Sequence, residues 1–557
     1  MPAVGALGLM ALGAMPAVLA PAVFEAHQVL ASDASLNDGF GCSVAIDGNV
    51  ALVGADYDDN ANGIDAGAAY MFTRDASSGT WSEAHKLLAP DGTAGDYFGY
   101  AVAVSGDVAV VGASRNDNIG GLMAGAAYVF VRDSGSGSWS EVQKLMASDG
   151  SRDDWFGYSV AVSGEVIVVG SVRDDTARGI DTGSAYAFVR DASSGVWAEA
   201  QKLLASDGAM VDWFGYSVAL SGGIAVVGAP REDNSRGGAD AGGAYVYARD
   251  GSSGAWSQVQ KLISSDASSI DWFGCSVAIS GEVLVVGSYL DDNSLGADAG
   301  AAYVFARSAS SGAWSEAQKL LASDGAAGDL FGYAVAVSGG MAVVGAYLND
   351  NELGTDAGAA YLFAPDPNSN AWSPTQKMEA WNGIDGDYFG RAVAVSDGVA
   401  VVAAHRHDTE DVQNAGTAYV LSPCNDFASV ASVVTGSCTS CTERDAKDCE
   451  EATCAAGFAG YSNGICCYDF ASVASVVTGS CTSCTGLGAA DCVEATCTEP
   501  GIAYNGGVCC NDFASVASVE TGSCTSCTGS GATQCAEATC AAGFAVYSGG
   551  ACTSCHD

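Results

Sequence analysis

A unit of 58 or 59 residues recurs seven times along this 557-residue chain, and this repeat restricts the fold more than any other feature. Every copy carries a Phe-Gly pair, with its phenylalanine at Phe40, Phe98, Phe156, Phe214, Phe273, Phe331 and Phe389. Every copy also carries a Gly-x-Ala-Tyr signature, with its tyrosine at Tyr70, Tyr128, Tyr186, Tyr245, Tyr303, Tyr361 and Tyr419. Such a fixed spacing is typical of folds in which neighbouring units bury each other's apolar faces.

Four strands are predicted within each unit. In the third unit, "YSVAVS" (158–163) alternates apolar and polar residues and forms strand a, followed by a tight turn at "SGE". Strand b, "VIVVGS" (166–171), is a continuous apolar run, which is expected where both sheet faces are covered. Strand c is "SAYAFVRD" (184–191) and strand d is "VWAEAQKLLAS" (196–206). Seven four-stranded units predict an all-β fold, a seven-bladed β-propeller.

The two ends of the array predict how the ring closes. The seventh unit stops after "GTAYVL" (416–421) and has no strand d of its own. At the other end, "FEAHQVLASD" (24–33) matches the strand d sequence "EAQKLLASD" and precedes any strand a. We therefore expect the N-terminal strand to complete the last blade, within a propeller domain spanning 23–422.

Two further regions flank the predicted propeller. Residues 1–22 are apolar and uncharged and end in "APA", which favours a cleaved signal peptide, although the usual basic start is missing. The alternatives are that residues 1–22 form a membrane anchor or that the start of the coding sequence is wrongly assigned. After the propeller come three cysteine-rich repeats, at 423–466, 467–509 and 510–557, the last including the C-terminus.

The tail repeats share the spacing C-x13-C-x2-C-x7-C-x4-C-x11-C. Six cysteines in so short a module predict three disulfides each in an oxidising compartment; C-x2-C zinc ligands are the alternative, but no histidine lies inside a module. The 15 pairings of six cysteines stay open. The predicted disulfide cysteines are Cys424, Cys438, Cys441, Cys449, Cys454, Cys466, Cys467, Cys481, Cys484, Cys492, Cys497, Cys509, Cys510, Cys524, Cys527, Cys535, Cys540 and Cys552. Cys555 is left over and could be free, cross-link two chains or open a truncated fourth module.

The net charge of the chain restricts the classes of partner that it can bind. Sixty-five acidic and 21 basic residues give a formal net charge of −44, which disfavours binding to nucleic acid or anionic lipid. It favours solubility, cations or cationic partners. No stretch after the leader is long and apolar enough to span a bilayer, so we expect no membrane span in the mature chain. The nucleophile-elbow, metalloprotease and phosphate-loop motifs are absent from the sequence.

Two aspartates recur in every unit and are expected on one face of the ring, which would make that face acidic. The first series is Asp38, Asp96, Asp154, Asp212, Asp271, Asp329 and Asp387, and the second is Asp59, Asp117, Asp175, Asp233, Asp292, Asp350 and Asp408. Each carboxylate either caps backbone N–H groups of its own loop or contributes to a calcium site. The calcium candidates are Asp58, Asp59, Asp65, Asp291, Asp292 and Asp298, although their spacing matches no standard calcium loop.

The seventh unit breaks the repeat with "AAHRHDTEDVQNAG". This segment brings together His405, His407, Asp408, Glu410 and Asp411, which could hold a transition metal or act as acid and base. Sequence drift in a terminal blade is the alternative. His405, His407 and Asp408 are the only catalytic candidates.

Other irregular positions are interpreted without a function. His27 and His85 occupy the place of glutamine in "QK" and count as variation within the repeat. Cys42 and Cys275 follow Phe-Gly in units that are not neighbours, so we expect buried thiols and no bridge.

Phe-Gly followed by "VVGAP" (226–230) resembles the FG-GAP repeat of integrin α-subunit propellers, and "FGYSVA", "GAAYVF" and "W…QKL" are more similar to its bacterial and algal variants. The resemblance covers 24–421 and implies the propeller fold, on which adhesion, scaffolding and catalysis all occur. The integrin calcium loop D-x-D-x-D-G is missing, because only "SGD", "SGE" or "SGG" stands in its place. The resemblance therefore implies no integrin-type calcium site.

These observations predict a secreted or cell-surface adhesion or ligand-binding protein that is not an enzyme. Its acidic propeller face would recognise an extracellular protein or glycan, with calcium as the one candidate cofactor. An extracellular polysaccharide lyase or hydrolase and a structural matrix or wall protein are the alternatives. Oligomeric state stays open.

Overall fold

Seven four-stranded antiparallel sheets form the propeller in the computed structural model, which describes residues 24–423 except 76–77, 367 and 410–411, and short strands between 458 and 554. The predicted leader lies outside the described residues. None of the described residues forms a helix long and apolar enough to cross a membrane.

The strands follow one another in the predicted order a, b, c, d. Blades 1 to 3 consist of β2 (Phe40–Asp47), β3 (Val50–Ala55), β4 (Ala68–Arg74), β5 (Trp81–Leu87), β6 (Phe98–Ser105), β7 (Val108–Ala113), β8 (Ala126–Arg132), β9 (Trp139–Leu145), β10 (Phe156–Ser163), β11 (Val166–Ser171), β12 (Ser184–Arg190) and β13 (Trp197–Leu203). Blades 4 to 6 consist of β14 (Ser217–Ser221), β15 (Ile224–Ala229), β16 (Gly243–Arg249), β17 (Trp256–Leu262), β18 (Val277–Ser280), β19 (Val283–Ser288), β20 (Ala301–Arg307), β21 (Trp314–Leu320), β22 (Val335–Ser338), β23 (Met341–Ala346), β24 (Ala359–Pro365) and β25 (Trp372–Met378). Blade 7 consists of β26 (Phe389–Ser396), β27 (Val399–Ala404), β28 (Thr417–Pro423) and β1 (Phe24–Val29). The all-β, seven-bladed prediction is confirmed.

Ring closure by the N-terminal strand is also confirmed. The seventh sheet has the order β1-β28-β27-β26, so the first strand of the chain is the outermost strand of the last blade. The hydroxyl of Thr417 donates to the carbonyl of Val29 at 3.1 Å. Val29 also packs in a cluster with Val401 of blade 7 and Val53 of blade 1, so apolar burial continues across the closing point.

Strand a of each blade lies nearest the axis, since the a strands of neighbouring blades contact one another all round the ring, including β26 with β2. Strand b is buried along almost its whole length because a sheet covers each of its faces. The core therefore lies between blades; Val285 and Val304 of blade 5, for example, pack with Val344 and Tyr361 of blade 6.

The two repeat signatures meet in every blade. The phenylalanine of Phe-Gly packs edge-to-face against the tyrosine of Gly-x-Ala-Tyr with ring centroids 5.4 or 5.5 Å apart. The glycine of Phe-Gly makes a different contact, with a glycine of strand b in the preceding blade. A Cβ built on Gly345 of strand b would overlap the carbonyl oxygen of Gly390, the glycine of Phe-Gly in the next blade. Blade 7 carries Ala403 at the place of Gly345. The strand b glycine of blades 1 to 6 thus allows successive sheets to approach each other closely.

Polar contacts join neighbouring blades as well. The side-chain amide of Gln143 accepts from the backbone N–H of Trp197 at 2.8 Å and donates to its carbonyl at 2.7 Å. Asp149, in the connection that follows blade 2, accepts from Lys202 and from the hydroxyl of Tyr186, both at 2.8 Å and both in blade 3. Six of the seven lysines of the sequence, one in each of blades 1 to 6, contact the aspartate of the preceding connection as Lys202 contacts Asp149. We refer to the Lys–Asp–Tyr contact as the interblade lock.

Residues 25–422 form one compact unit, and the tail belongs to a second. The strands described in the tail form four two-stranded sheets: β29 (Phe458–Ser462) with β30 (Ile465–Tyr468), β31 (Tyr504–Asn505) with β32 (Val508–Cys509), β33 (Ser526–Cys527) with β34 (Cys535–Glu537), and β35 (Phe544–Ser548) with β36 (Ala551–Ser554). The side chains of the 18 predicted disulfide cysteines lie outside the described residues, so that pairing stays a prediction.

Candidate functional site

The first aspartate series caps its own loops. Asp154 is only 2% exposed, and its Oδ2 accepts from the backbone N–H of Ser151 at 2.6 Å. The donors in the seven blades are the N–H groups of Ser35, Thr93, Ser151, Ala209, Ser268, Ala326 and Ile384. Burial, reinforced by the nearby charge of Asp174, raises the pKa of Asp154 to about 7. The expectation that this series contributes to an acidic surface is therefore wrong, because its carboxylates are buried and accept hydrogen bonds from their own loops.

The second series caps the loop between strands b and c. Asp117 Oδ1, for example, accepts from the N–H of Met123 at 2.8 Å. The seven donors, all with φ between 48° and 53°, are Asp65, Met123, Asp181, Asp240, Asp298, Asp356 and Asn414. Asp and Asn tolerate this left-handed conformation better than methionine. All members of the second series except Asp408 are exposed, so acidic groups do surround the periphery of this face.

Four of the six calcium candidates accept hydrogen bonds from protein groups. Asp58 accepts from Lys86 at 2.8 Å and from the Tyr70 hydroxyl at 2.7 Å, and Asp291 makes the same contacts with Lys319 and its own tyrosine. Asp59 and Asp292 are loop caps, which accept from the N–H groups of Asp65 and Asp298. Within 24–423, apart from the gaps, no three His, Cys, Asp or Glu side chains are grouped so as to hold a metal ion. Calcium binding stays a prediction to which this arrangement adds no support.

The blade 7 candidates do not form one cluster. His407 is buried; its Nδ1 lies 2.8 Å from Asp387 Oδ2 and its Nε2 lies 3.2 Å from Asn382 Nδ2. His405 stacks instead on Tyr388, with ring centroids 5.6 Å apart. Burial and two nearby arginines lower the pKa of His405 to about 3, so this imidazole is neutral at physiological pH.

Of the remaining residues of that patch, the structure describes Asp408 only. Asp408 Oδ1 accepts from the N–H of Asn414 at 2.7 Å, as a loop cap. Glu410 and Asp411 lie outside the described residues. Among the described residues, His405, His407 and Asp408 thus have different partners, and the site itself stays a prediction.

His407 belongs to an altered interblade lock. Where other blades have lysine and aspartate, blade 7 has Gln28 and Asn382, and Asn382 Oδ1 accepts from the Tyr419 hydroxyl at 2.6 Å. Without the long lysine, a cavity of about 450 Å³ lies between Gln28, Asn382, His407 and Thr409. Blade 7 thus closes with neutral hydrogen bonds instead of an ion pair.

A second cavity, of about 250 Å³, lies on the axis of the ring. Its wall includes the residue after Phe-Gly from every blade: Cys42, Tyr100, Tyr158, Tyr216, Cys275, Tyr333 and Arg391. We call this space the axial cavity. This cavity was not predicted from the sequence. The signal that could have indicated it is the position after Phe-Gly, which changes from Tyr to Cys or Arg inside an otherwise regular repeat. Cys42 and Cys275 form no disulfide there; burial raises the pKa of Cys275 to about 12.

Charge and aromatic groups are unevenly distributed around the axial cavity. Tyr158 lies between Tyr100 and Tyr216, with ring centroids 4.9 and 5.1 Å away. On another part of the wall the guanidinium of Arg391 lies 4.4 Å from the ring centre of Tyr333. Asp56, from the end of strand b in blade 1, is buried, and burial raises its pKa to about 6.

Arginines and aromatic rings lie at the same end of strands a and b. We call these residues the aromatic–arginine rim: Arg115, Arg173, Arg231 and Arg406 with Tyr97, Trp155, Trp213 and Tyr388. Each guanidinium lies 4.0 to 5.0 Å from the centre of a rim ring. Trp155 stacks on Tyr158 and Trp213 on Tyr216, both at 6.2 Å, so the rim continues into the axial cavity.

The family comparison agrees with this architecture. The FG-GAP repeat family matches seven segments, residues 24–72, 81–130, 139–188, 197–247, 256–305, 314–363 and 372–421. No curated protein matches the chain. Among solved structures, a protein from Lactobacillus plantarum is similar at 16% identity and a TM-score of 0.39. The match covers 62% of this chain and 86% of the Lactobacillus plantarum protein. The periplasmic gluconolactonase PpgL of Pseudomonas aeruginosa is similar at 16% identity and a TM-score of 0.40. The match covers 62% of this chain and 86% of the gluconolactonase. At such identities no activity is carried over to this chain.

Proposed function

Because this chain belongs to the FG-GAP repeat family, we propose that it is a secreted or cell-surface protein whose propeller binds an extracellular protein or glycan without catalysing a reaction. The observation that carries this proposal is the aromatic–arginine rim. It places half-buried rings and guanidinium groups around the axis of a chain whose formal net charge is −44. Aromatic and arginine side chains are the groups most enriched where proteins bind partners.

The distribution of sequence differences supports binding at this face. The residues that build loops and locks are repeated almost unchanged, whereas the rim and the axial cavity vary from blade to blade. Blades 5 and 6, for example, carry Leu290 and Leu348 where blades 2 to 4 carry rim arginines. A surface that only kept the protein soluble has no need for this asymmetry at its centre, while the exposed second aspartate series supplies solubility at the edge.

Export is the part of this proposal that rests on sequence alone. The apolar leader at 1–22 and the regular cysteine spacing of the tail both favour an oxidising, extracellular compartment. In that setting the tail would act as a spacer or stalk that holds the propeller away from a surface.

Binding of the full-length chain to a glycan array and to a panel of extracellular matrix proteins tests the proposal. The matched variant is Arg115→Leu combined with Arg173→Leu, because leucine already occupies this place in two blades and the fold should persist. We expect binding by the native chain and a loss of about tenfold or more in the variant. A native chain that binds nothing on either panel, or a variant that binds equally well, would contradict the proposal.

An enzymatic function keeps one candidate, the buried His407–Asp387 pair beside the blade 7 cavity. A histidine held by a carboxylate is an arrangement used in acid–base catalysis. His407→Asn is the matched variant, because Asn116 and Asn349 occupy this place in blades 2 and 6. Release of reducing ends from polysaccharides by the native chain, lost in His407→Asn, would favour an enzyme over a binding protein.

A further inference from the structure

We propose that the axial cavity binds a single sugar ring, with Asp56 accepting and Arg391 donating hydrogen bonds to its hydroxyl groups. This inference rests on the proposed binding function and narrows it to glycans and to one place on the propeller.

The first argument is that the carboxylate of Asp56 is only partly satisfied, by the thiol of Cys42. Asp56 is only 4% exposed and lines the cavity, yet its Oδ1 has no hydrogen-bond partner among the described residues. Leaving a buried acceptor unpaired costs about 1–3 kcal/mol, and more when the group is charged. The corresponding residues of blades 2 and 3 are Ser114 and Val172, so the loop itself does not require an acid at this place. A donor supplied by a ligand would satisfy Asp56.

The second argument is the guanidinium of Arg391. Among the described residues it makes ring contacts only, 4.4 Å from the centre of Tyr333 and 5.9 Å from that of Tyr347, and no ion pair or hydrogen bond. Four other blades have tyrosine at this position, so the fold does not need arginine here. The guanidinium, a planar group with five N–H donors, therefore lines the axial cavity without a hydrogen-bond acceptor among the described residues.

The third argument is that both charge signs occur in one small space. A basic peptide side chain would be repelled by Arg391, and an acidic one by Asp56. A polyol uses both, because each hydroxyl group donates one hydrogen bond and accepts others. The tyrosine rings on the remaining wall can pack against the C–H face of a sugar. At about 250 Å³ the cavity lies just below the 300–1,000 Å³ of drug-sized ligand sites, which fits one ring and excludes an oligosaccharide.

Calorimetric titration of the full-length chain with free monosaccharides tests this inference. The probes are glucose, galactose, mannose and galacturonate. We expect at least one of them to bind with a dissociation constant of about 1 mM, since a small ligand gains limited free energy. A carboxylated sugar that binds more tightly than its neutral counterpart would indicate that Arg391 makes the dominant contact.

The variants are chosen so that loss of binding is separated from loss of fold. Arg391→Tyr and Asp56→Ser install residues that other blades carry at these places, and each should weaken binding about tenfold or more while the melting temperature changes little. Arg152→Ala, whose side chain is 68% exposed on an outer loop, is the control and should bind like the native chain.

The outcomes also distinguish this inference from the proposed function. If no probe binds the native chain, or if both variants bind sugar as the native chain does, the sugar site is refuted. Should array binding by the native chain persist in both variants, the propeller recognises its ligand elsewhere and only the broader proposal survives. Failure on the arrays as well as in the titration contradicts both.

Discussion

Replacing the buried Asp154 by asparagine should stabilise the protein at alkaline pH and have little effect at acid pH. The folded state holds this carboxyl at a pKa of about 7, against the ordinary value of 3.8, because the group is buried beside Asp174. Each pKa unit corresponds to about 1.4 kcal/mol, so the raised pKa amounts to roughly 4 kcal/mol of lost stability once the group is fully ionised. Asparagine keeps an oxygen that can accept the Ser151 N–H and carries no charge.

The sign follows from proton binding. Between about pH 4 and pH 7 the folded protein holds a proton on Asp154 that the unfolded chain has released, so the stability of the native protein falls as pH rises through this window. The loss is complete above about pH 7, and only the native protein suffers it. Asp154→Asn should therefore unfold at a free energy higher by a few kcal/mol, up to about 4, at pH 8.5, and within about 1 kcal/mol of the native value at pH 4.

Denaturant unfolding followed by tryptophan fluorescence measures this difference. All ten tryptophans lie between Trp81 and Trp381, so the signal reports on the propeller alone. Asp96→Leu is the control at the same place: it leaves the Thr93 N–H and the Asn116 amide without the acceptor that each has at 2.8 Å, so it should cost about 1–3 kcal/mol and give no gain at pH 8.5. A gain for Asp154→Asn that is the same at both pH values, or a loss at pH 8.5, would refute the reasoning.

Three further predictions test a loop, a buried ion pair and a contact between blades through the melting temperature and the free energy of unfolding. Met123→Asn should stabilise by about 0.5–1 kcal/mol, because methionine is held at φ 51° where asparagine is tolerated, and a lower melting temperature would contradict this. Lys319→Met should destabilise by about 3–5 kcal/mol because it leaves the buried Asp291 without its cation, whereas Lys144→Met, whose partner is exposed, should cost at most about 1 kcal/mol; equal effects would show that the buried Asp291 does not depend on this cation. Gly358→Ala should destabilise by about 3 kcal/mol, because the glycine of Gly-x-Ala-Tyr is present in all seven blades, its φ is 85° and a Cβ would overlap the Phe389 carbonyl of the next blade; a native melting temperature would show that the sheets can separate.

The periodic parts of the structure could be predicted from the sequence because each strand's pattern directly reflects its burial. Strand b was predicted at 166–171 and lies at Val166–Ser171, since an apolar run buried on both faces has sharp ends. Strand a begins two residues earlier than predicted, at Phe156, because a bulge between Phe156 and Ser159 carries the Phe-Gly pair into the sheet.

The candidate site was less predictable because it depends on contacts between blades. Nothing within a single unit indicates that Asp149 reaches Lys202 of the next blade. His405 and His407 were expected together, but they follow the end of β27 at Ala404, where the regular alternation of strand side chains no longer applies. The variable position after Phe-Gly was visible in the sequence, yet only the ring arrangement shows that all seven copies face one axis.

The hydrogen bond between Thr417 and Val29 joins residues 388 positions apart, which has a consequence for biosynthesis. The strand at Phe24–Val29 is synthesised long before the strand with which it pairs, so it stays unpaired while nearly four hundred further residues are translated. During this time both flanks of the growing array present open backbone donors and acceptors of the kind that recruit other chains. Assembly of this protein is therefore expected to be slow and sensitive to chaperone supply, and prematurely terminated chains should aggregate instead of accumulating as smaller rings.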